Sequence, residues 1–454
     1  MTRLAILVLG IACAGWIGCA GVRAPSTSLV LEDEGALSLY LAPLPPEATR
    51  SALRFSRIAA KRDDGTMQPL TLTTLVGSSP ASRERLVASG SLPQGRYVGL
   101  EVAIESSEGA RSVDVSFEVQ QRRALVLTLS LDARRSIGED FVFHPEFTAA
   151  IPDRLPAGLI ALASAQGSNA VVQFDKRSGH VVQTIATGKA PRGLVVDQAR
   201  RRAYVACSGD DSVEVIDLIE GRVIERLTLI GGDSPEELVL SSDGNTLLSA
   251  NAGSNTVSII DARSLLETGR LNVGEGPHDL VIDPTGRRAF VFNGAGNDIS
   301  VIDIPRAAVA RSIVTEANPF RGEFNRRGDR LYVVHRASPY VTVLDTNSLT
   351  VLRRVYVGSE VTALKVDLQT DRFFIARRNA DAIDLYDPQS FLPVDNIRVS
   401  QDIGFMAIDG ESNSLLLVLP REGQVQIVPL VSKRASATID VGIEPYAIVV
   451  AGER

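Results

Sequence analysis

The residues able to do chemistry in this chain are few: four histidines and three cysteines among 454 residues. Two of the histidines, His278 and His335, fall among Arg192, Arg321 and Arg377 and the acids Glu236, Glu237 and Asp279. Histidines with neighbouring carboxylates suit a metal ion or an acid and base. These two, however, lie 57 residues apart, which is no ligand spacing, so a polar rim is the preferred reading over a catalytic pair. A second set is more regular. Asp175, Asp217, Asp261, Asp303, Asp345 and Asp387 each end an alternating apolar run, at intervals of 42, 44, 42, 42 and 42 residues. Each precedes a polar turn, where an aspartate accepts hydrogen bonds from the backbone two or three residues on, so the row reads as structural. Cys207 closes the apolar run Ala203–Cys207 and reads as a small buried hydrophobe rather than a reactive thiol. No Gly-x-Ser-x-Gly elbow, phosphate loop, His-Glu-x-x-His or Cys-x-x-Cys-His site is present. No catalytic residue, metal ligand or cofactor is therefore assigned.

The spacing itself identifies the elements that must position these residues. One unit runs from Gly274 to Asp283, through Arg288–Asn293 and Asn297–Asp303, to Ala310–Val314. Four β-rich runs punctuated by Gly, Asp and Asn form a four-stranded meander, strands A to D, and repetition at this period predicts a β-propeller. The same grammar recurs in Ala203-Tyr204-Val205-Ala206 with Ser212–Asp217, in Ser254-Asn255-Thr256-Val257-Ser258-Ile259-Ile260-Asp261, and in Leu331–Val334. These segments resemble the YVTN-type seven-bladed β-propeller repeat, and the resemblance covers residues 157–450 in seven copies. It departs from the pattern in the sixth and seventh units, where Asn379–Asp384 and Glu422–Val425 replace the motif.

Strand A begins at Pro191, Pro235, Pro277, Pro319, Val361, Ile403 and Pro445. Seven starts against six complete units imply that Tyr446–Val450 supplies strand A to a first blade made of Leu159–Ala165, Ala170–Asp175 and His180–Thr187. Such a 3+1 closure leaves no isolated terminal edge. A-strand starts and B-strand ends then share one face of the disc. The first ring there is Arg192, Glu236, His278, Phe320, Thr362, Gly404 and Tyr446; the second is Ala165, Cys207, Asn251, Asn293, His335, Arg377 and Leu419. A concave rim of mixed chemistry is where ligands are expected. Arg192, Glu236, His278, Phe320, Arg321, His335, Arg377 and Tyr446 are the candidate ligand-binding residues.

Ahead of the repeats, Arg3 and the apolar stretch Leu4–Ile17 read as a signal peptide, residues 1–18, too short to span a membrane as a typical helix. Trp16-Ile17-Gly18-Cys19 resembles a bacterial lipoprotein processing site, with Trp16 where a mid-sized aliphatic residue is usual. The resemblance implies lipidation of Cys19, each buried methylene contributing about 0.8 kcal/mol to membrane attachment. An ordinary cleaved signal, or cleavage at Cys13, is the alternative. Residues 19–34 read as a flexible tether. Residues 35–153 alternate with period two at Leu37, Leu39 and Leu41, at Val98 to Ile104, at Val113 to Val119 and at Leu125 to Leu131, with turns at Asp63-Asp64-Gly65 and Pro93-Gln94-Gly95. This predicts an antiparallel β-sandwich of seven or eight strands. Leu92–Tyr97 resembles a stretch found in small sandwich domains of bacterial lipoproteins and surface proteins. His144 reads as structural, with no second His or Cys nearby.

A formal charge of −7 without a basic block argues against nucleic-acid binding. The chain is thus expected to be all-β, an exported, lipid-anchored envelope protein on the periplasmic or cell-surface side. Its propeller face would act as a non-catalytic binding or scaffold surface for a protein, glycan or small molecule. The alternatives are a largely structural surface protein and a propeller enzyme or cofactor handler. The last rests on the resemblance, since propellers of this kind include lactone hydrolases and haem- or quinone-associated proteins.

Overall fold

The computed structural model describes residues 34–44, 53–73, 83–105, 109–132, 135–136, 144–153, 159–399 and 402–451. The expected signal, Cys13 and Cys19 lie outside these. The described residues form strands, turns and two short 3₁₀ segments, Gln166–Ser168 and Ser208–Asp210. No helix among them is long and apolar enough to cross a membrane.

The first eight strands are β1 (Gly35–Leu41), β2 (Phe55–Arg62), β3 (Met67–Leu72), β4 (Arg85–Leu92), β5 (Gly95–Ile104), β6 (Ala110–Val119), β7 (Ala124–Leu131) and β8 (Phe147–Ala150). They pair in the order β6-β5-β2-β3-β4-β1-β7-β8. The sheet curls until β6 lies beside β8, giving a barrel-like sandwich around Leu37, Leu39, Leu100, Phe117 and Leu127. One pairing, β1 with β7, is parallel, unlike the antiparallel arrangement expected throughout. The alternation also slips in β5. A register shift between Tyr97 and Gly99 turns Val98 outward and Tyr97 into the core, where its hydroxyl donates to Pro93 O at 2.9 Å. His144 is exposed, with its backbone N–H donating to Ser136 O.

Seven four-stranded sheets follow. Six are continuous in sequence. The remaining one, blade 1, joins Pro445–Val450 as strand A to Ile160–Ala165, Ala170–Asp175 and Val181–Ala186, the 3+1 closure expected from the count of A-strand starts. Blades 6 and 7 are complete despite their divergent motifs. Their intermediate strands are apolar on both faces because both faces are covered. In Arg202–Cys207, Tyr204 and Ala206 pack toward blade 3, while Ala203, Val205 and Cys207 pack toward blade 1. A separate hydrophobic cluster fills each of the seven junctions between neighbouring blades. The core is therefore a ring of interfaces, and Cys207 is one of its buried residues.

The six aspartates occupy the C–D turns and cap them from within. Asp217 Oδ1 accepts from the N–H groups of Ile219 and Glu220, both at 2.8 Å, and Asp345 Oδ1 from those of Asn347 and Ser348 at 2.9 and 2.7 Å. Asp175, Asp261 and Asp387 repeat this pattern, and Asp303 accepts from Arg306. Among the described residues no cluster of His, Cys, Asp and Glu could hold a metal ion.

The sandwich docks on the seam where the ring closes. Tyr40 and Val126 join the cluster between blades 7 and 1. Tyr40 Oη donates to Asp440 O, the Leu86 N–H donates to Asp440 Oδ2 at 3.1 Å, and the Val181 N–H donates to Glu84 Oε2 at 2.9 Å.

Candidate functional site

The innermost A-strands line the axis, and each carries a local irregularity that decides what faces it. In six blades the A–B register breaks just after the first residue, as between Pro235 and Glu237 or Pro277 and Asp279. An extra residue in one strand bends it and re-aims side chains. Consecutive positions, such as Glu236 and Glu237, thereby both reach the axial network.

The deeper layer is a closed floor. Glu237, Asp279 and Arg321 are only 8, 6 and 7% exposed. Arg321 of blade 5 reaches across the axis. Its Nε lies 3.5 Å from Asp279 Oδ2 in blade 4, its Nη1 donates to Gly404 O before blade 7, and its guanidinium lies 4.2 Å from the ring centre of Phe405. Burial lifts Glu237 to about 8, helped by the charge of Asp279; burial likewise lifts Asp279 to about 7, against the pull of Arg321. Burial thus favours the protonated form of both carboxyls. Side chains of blades 3, 4 and 5 thus meet at this level, and Arg321 links them to blade 7.

The layer nearer the face is the rim. Arg192 pairs with Glu236, accepts support from the Tyr446 ring 5.4 Å below its guanidinium, and donates from Nε to Gln166 Oε1 at 3.1 Å. Tyr446 Oη donates to Glu236 Oε2 at 3.3 Å, and burial raises its phenol far above the ordinary value. On the other side, Arg336 lies 5.2 Å from the centre of Phe320 and donates from Nη2 to His278 Nε2 at 2.6 Å. Burial, reinforced by the charges of Arg336, Arg321 and Arg192, depresses His278 to about 3. A neutral imidazole accepting at Nε2 carries its proton on Nδ1, and that buried nitrogen has no partner among the described residues. Three guanidiniums are therefore each held against an aromatic ring, an arrangement that fixes their planes.

Six of the eight expected residues meet here: Arg192, Glu236, His278, Phe320, Arg321 and Tyr446. His335 and Arg377 do not join them. At the B-strand ends the polar side chains latch their own blade. Asn251 Nδ2 donates to Thr256 and Ser258, and Asn293 Nδ2 to Asp298 and Ser300. His335, wholly buried, donates from Nδ1 to Tyr340 O, and burial depresses it to about 4. Arg377 pairs with Asp384. The residues that do reach the rim lie one position further on, in the B–C turns: Gln166 and Arg336, the latter lowered by burial and, to a smaller extent, by the charges of Arg321 and Arg378. The same 42-residue interval would have located them. Neither Arg336 nor Arg378 pairs with a carboxylate among the described residues.

Residues 159–371 match the family model of the YNCE-like β-propeller. The matched residues hold blades 2 to 5 entire, with parts of blades 1 and 6. Among solved structures, the chain is similar to Kuenenia stuttgartiensis hydrazine synthase, at 17% identity and a TM-score of 0.55 over 60% of this chain and 93% of that one. It is also similar to the dihydro-haem d1 dehydrogenase NirN, at 16% identity and a TM-score of 0.52 over 67 and 78%. A candidate 6-phosphogluconolactonase from Bacteroides uniformis matches at 14% identity and a TM-score of 0.55 over 65 and 99%. At these identities the likeness is one of fold. No curated protein matches the sequence. The seven-bladed ring is preceded here by the eight-stranded sandwich.

Proposed function

We propose that the protein is a binding protein whose YNCE-like propeller takes a small anionic molecule, bearing a carboxylate or phosphate group, at the rim formed by Arg192, His278, Phe320 and Arg336. The observation that carries this is Arg336. Its guanidinium is held against Phe320 and His278, partly desolvated, and has no carboxylate counterpart, while Arg192 is matched by Glu236 and Arg321 faces a carboxyl pair that retains a proton near neutrality. A positively biased concave mouth attracts and orients anions, and arginine forks suit carboxylate and phosphate. The buried, unpartnered Nδ1–H of His278 supplies a further donor.

A catalytic reading rests on Glu237 and Asp279, whose raised pKa values suit acid–base chemistry. Their exposure of under one-tenth and the guanidinium of Arg321 beside them favour binding over turnover. We place the protein in the cell envelope, tethered through lipidated Cys19, on the strength of the Arg3–Cys19 segment.

Differential scanning fluorimetry with citrate, inorganic phosphate and glucose 6-phosphate, against glucose and spermidine as neutral and cationic controls, tests the binding reading. At least one anion should raise the melting temperature in a saturable manner while the controls do not. Stabilisation by the controls alone, or by none of the five, would count against it.

A further inference from the structure

A second concave site lies away from the axis, between the sandwich and the propeller. It is a cavity of about 640 Å³, within the 300–1,000 Å³ range of small-molecule sites, which favour domain interfaces. Its sandwich wall is built by cross-strand register. Ser38 of β1 pairs with Ser89 of β4, which pairs with Thr71 of β3, so three hydroxyls form a row across adjacent strands. They lie on the face opposite Leu37, Leu39 and Ala88, the side that an isolated sandwich would present to water. Tyr40 and Leu86, also paired across strands, continue this face toward the seam. The propeller wall is apolar at Ala170 and Val172 of blade 1 and at Val441 and Ile443 in the link leading to its strand A.

Charge decides the ligand class. The ionisable groups of the interior walls are already satisfied. Tyr40 Oη donates to Asp440 O, and the Asp440 carboxylate accepts from Gln424 Nε2 at 3.0 Å and the Leu86 N–H at 3.1 Å. Apart from Asp440, the charged residues of the lining stand at the exposed edge, where Arg421 turns to Asp402 at 2.7 Å and Glu422 and Glu444 remain. An anion would meet those two carboxylates and find no cation inside. Seam glycines bring segments of the propeller wall itself to close backbone approach. A Cβ on Gly423 would stand 2.5 Å from Gly442 O, and one on Gly442 2.6 Å from Ser168 Oγ.

We propose that this cavity is a binding site for an uncharged amphipathic small molecule, with an apolar side against blade 1 and hydroxyl, ether or carbonyl groups facing the Ser38–Ser89–Thr71 row. It is distinct from the anion rim in chemistry, though Gln166 stands in its wall and also accepts from Arg192. The probe is N-phenyl-1-naphthylamine, an uncharged amphipathic fluorophore, titrated into the protein carrying the sandwich and propeller together. Saturable one-to-one enhancement is expected for the wild type. Thr71→Trp, which fills the cavity from a partly buried strand position, should weaken binding at least tenfold; Thr71→Ser should retain it. Arg336→Ala, at the rim, should leave it unchanged. No saturable binding by the wild type, or equal binding by Thr71→Trp with an unaltered melting temperature, would overturn the proposal. If Thr71→Trp melts early, Ser89→Phe from the adjacent strand replaces it, with the same outcomes.

Discussion

Replacing Lys176 by methionine removes the charge that locks the ring where its ends meet. Lys176, in the C–D turn of blade 1, is wholly buried, and its Nζ donates to Asp409 Oδ1 at 2.9 Å, to Glu411 Oε2 at 3.0 Å and to Ala451 O at 3.3 Å. Asp409 and Glu411 belong to blade 7, so these bonds cross the seam. Asp409 is 1% exposed, and without Lys176 it keeps only the Ser412 hydroxyl at 2.6 Å and the Glu411 N–H at 3.3 Å. Removing one partner of a buried ion pair costs about 3–5 kcal/mol. The retained Ser412 bond points to the lower end, about 3 kcal/mol. With an unfolding entropy of about 2.1 cal/mol/K per residue over roughly 290 propeller residues, that loss lowers the melting temperature by about 5 °C. Glu411 is half exposed and adds little. Circular dichroism melts at pH 7 measure the shift, and the double variant Lys176→Met, Asp409→Leu should recover most of it because no buried charge is then left alone. The pH profile gives a second readout. Burial alone would raise Asp409, but hydrogen bonds from Ser412 and Lys176 outweigh it and hold the carboxyl below 3.8. Its contribution is therefore present above that value and lost as pH falls through the folded pKa. In Lys176→Met the acid loss should begin at higher pH. A single variant melting within 1 °C of wild type, or a double variant no more stable than the single, would refute the reasoning.

Three further outcomes follow from the same geometry. Glu237 and Asp279 carry raised pKa values, so their stabilising protonation is full below the unfolded pKa and is lost as pH rises through the neutral range; citrate affinity should fall between pH 6 and 9, and Glu237→Gln should flatten that fall in calorimetry. His278 should not contribute to this profile above pH 5, since it is already neutral there. His335→Asn reproduces the latch that Asn251 and Asn293 provide in blades 3 and 4, so anion affinity should be unchanged and the melting temperature nearly so; a lost affinity would return His335 to the site. Cys19→Ala should abolish labelling by radioactive palmitate and shift the protein out of the membrane fraction, whereas unaltered labelling would contradict lipid anchoring at that residue.

The propeller was legible because its signal is a count. Seven A-strand starts against six complete units specified blade 1, and the aspartates followed from the turn chemistry that each repeat shares. The sandwich was less so. Local alternation located strands such as β1 and β7 but not their parallel pairing, which depends on contacts about 90 residues apart, nor the slip at Val98, which a bulge introduces. Around the axis, the period located the A-strand residues Arg192, Glu236, His278, Phe320 and Tyr446 that meet there, and at the B-strand ends it fell one residue short of Gln166 and Arg336. A strand alternates its faces, and at the B-strand end one position separates a buried latch, His335, from the rim residue Arg336. Lys176 and the cavity beside the seam had no signal in sequence, since both arise where elements distant in the chain meet.

Anion binding at the rim turns on Arg336. Isothermal titration of wild type and of the Arg336→Ala, Arg378→Ala double variant with whichever of citrate, inorganic phosphate or glucose 6-phosphate stabilises the protein tests it most directly. Removing two guanidiniums that have no carboxylate partner should leave the melting temperature within about 2 °C of wild type. The account predicts at least a tenfold loss of affinity and a shallower dependence on salt. Unchanged affinity in a folded double variant would contradict it.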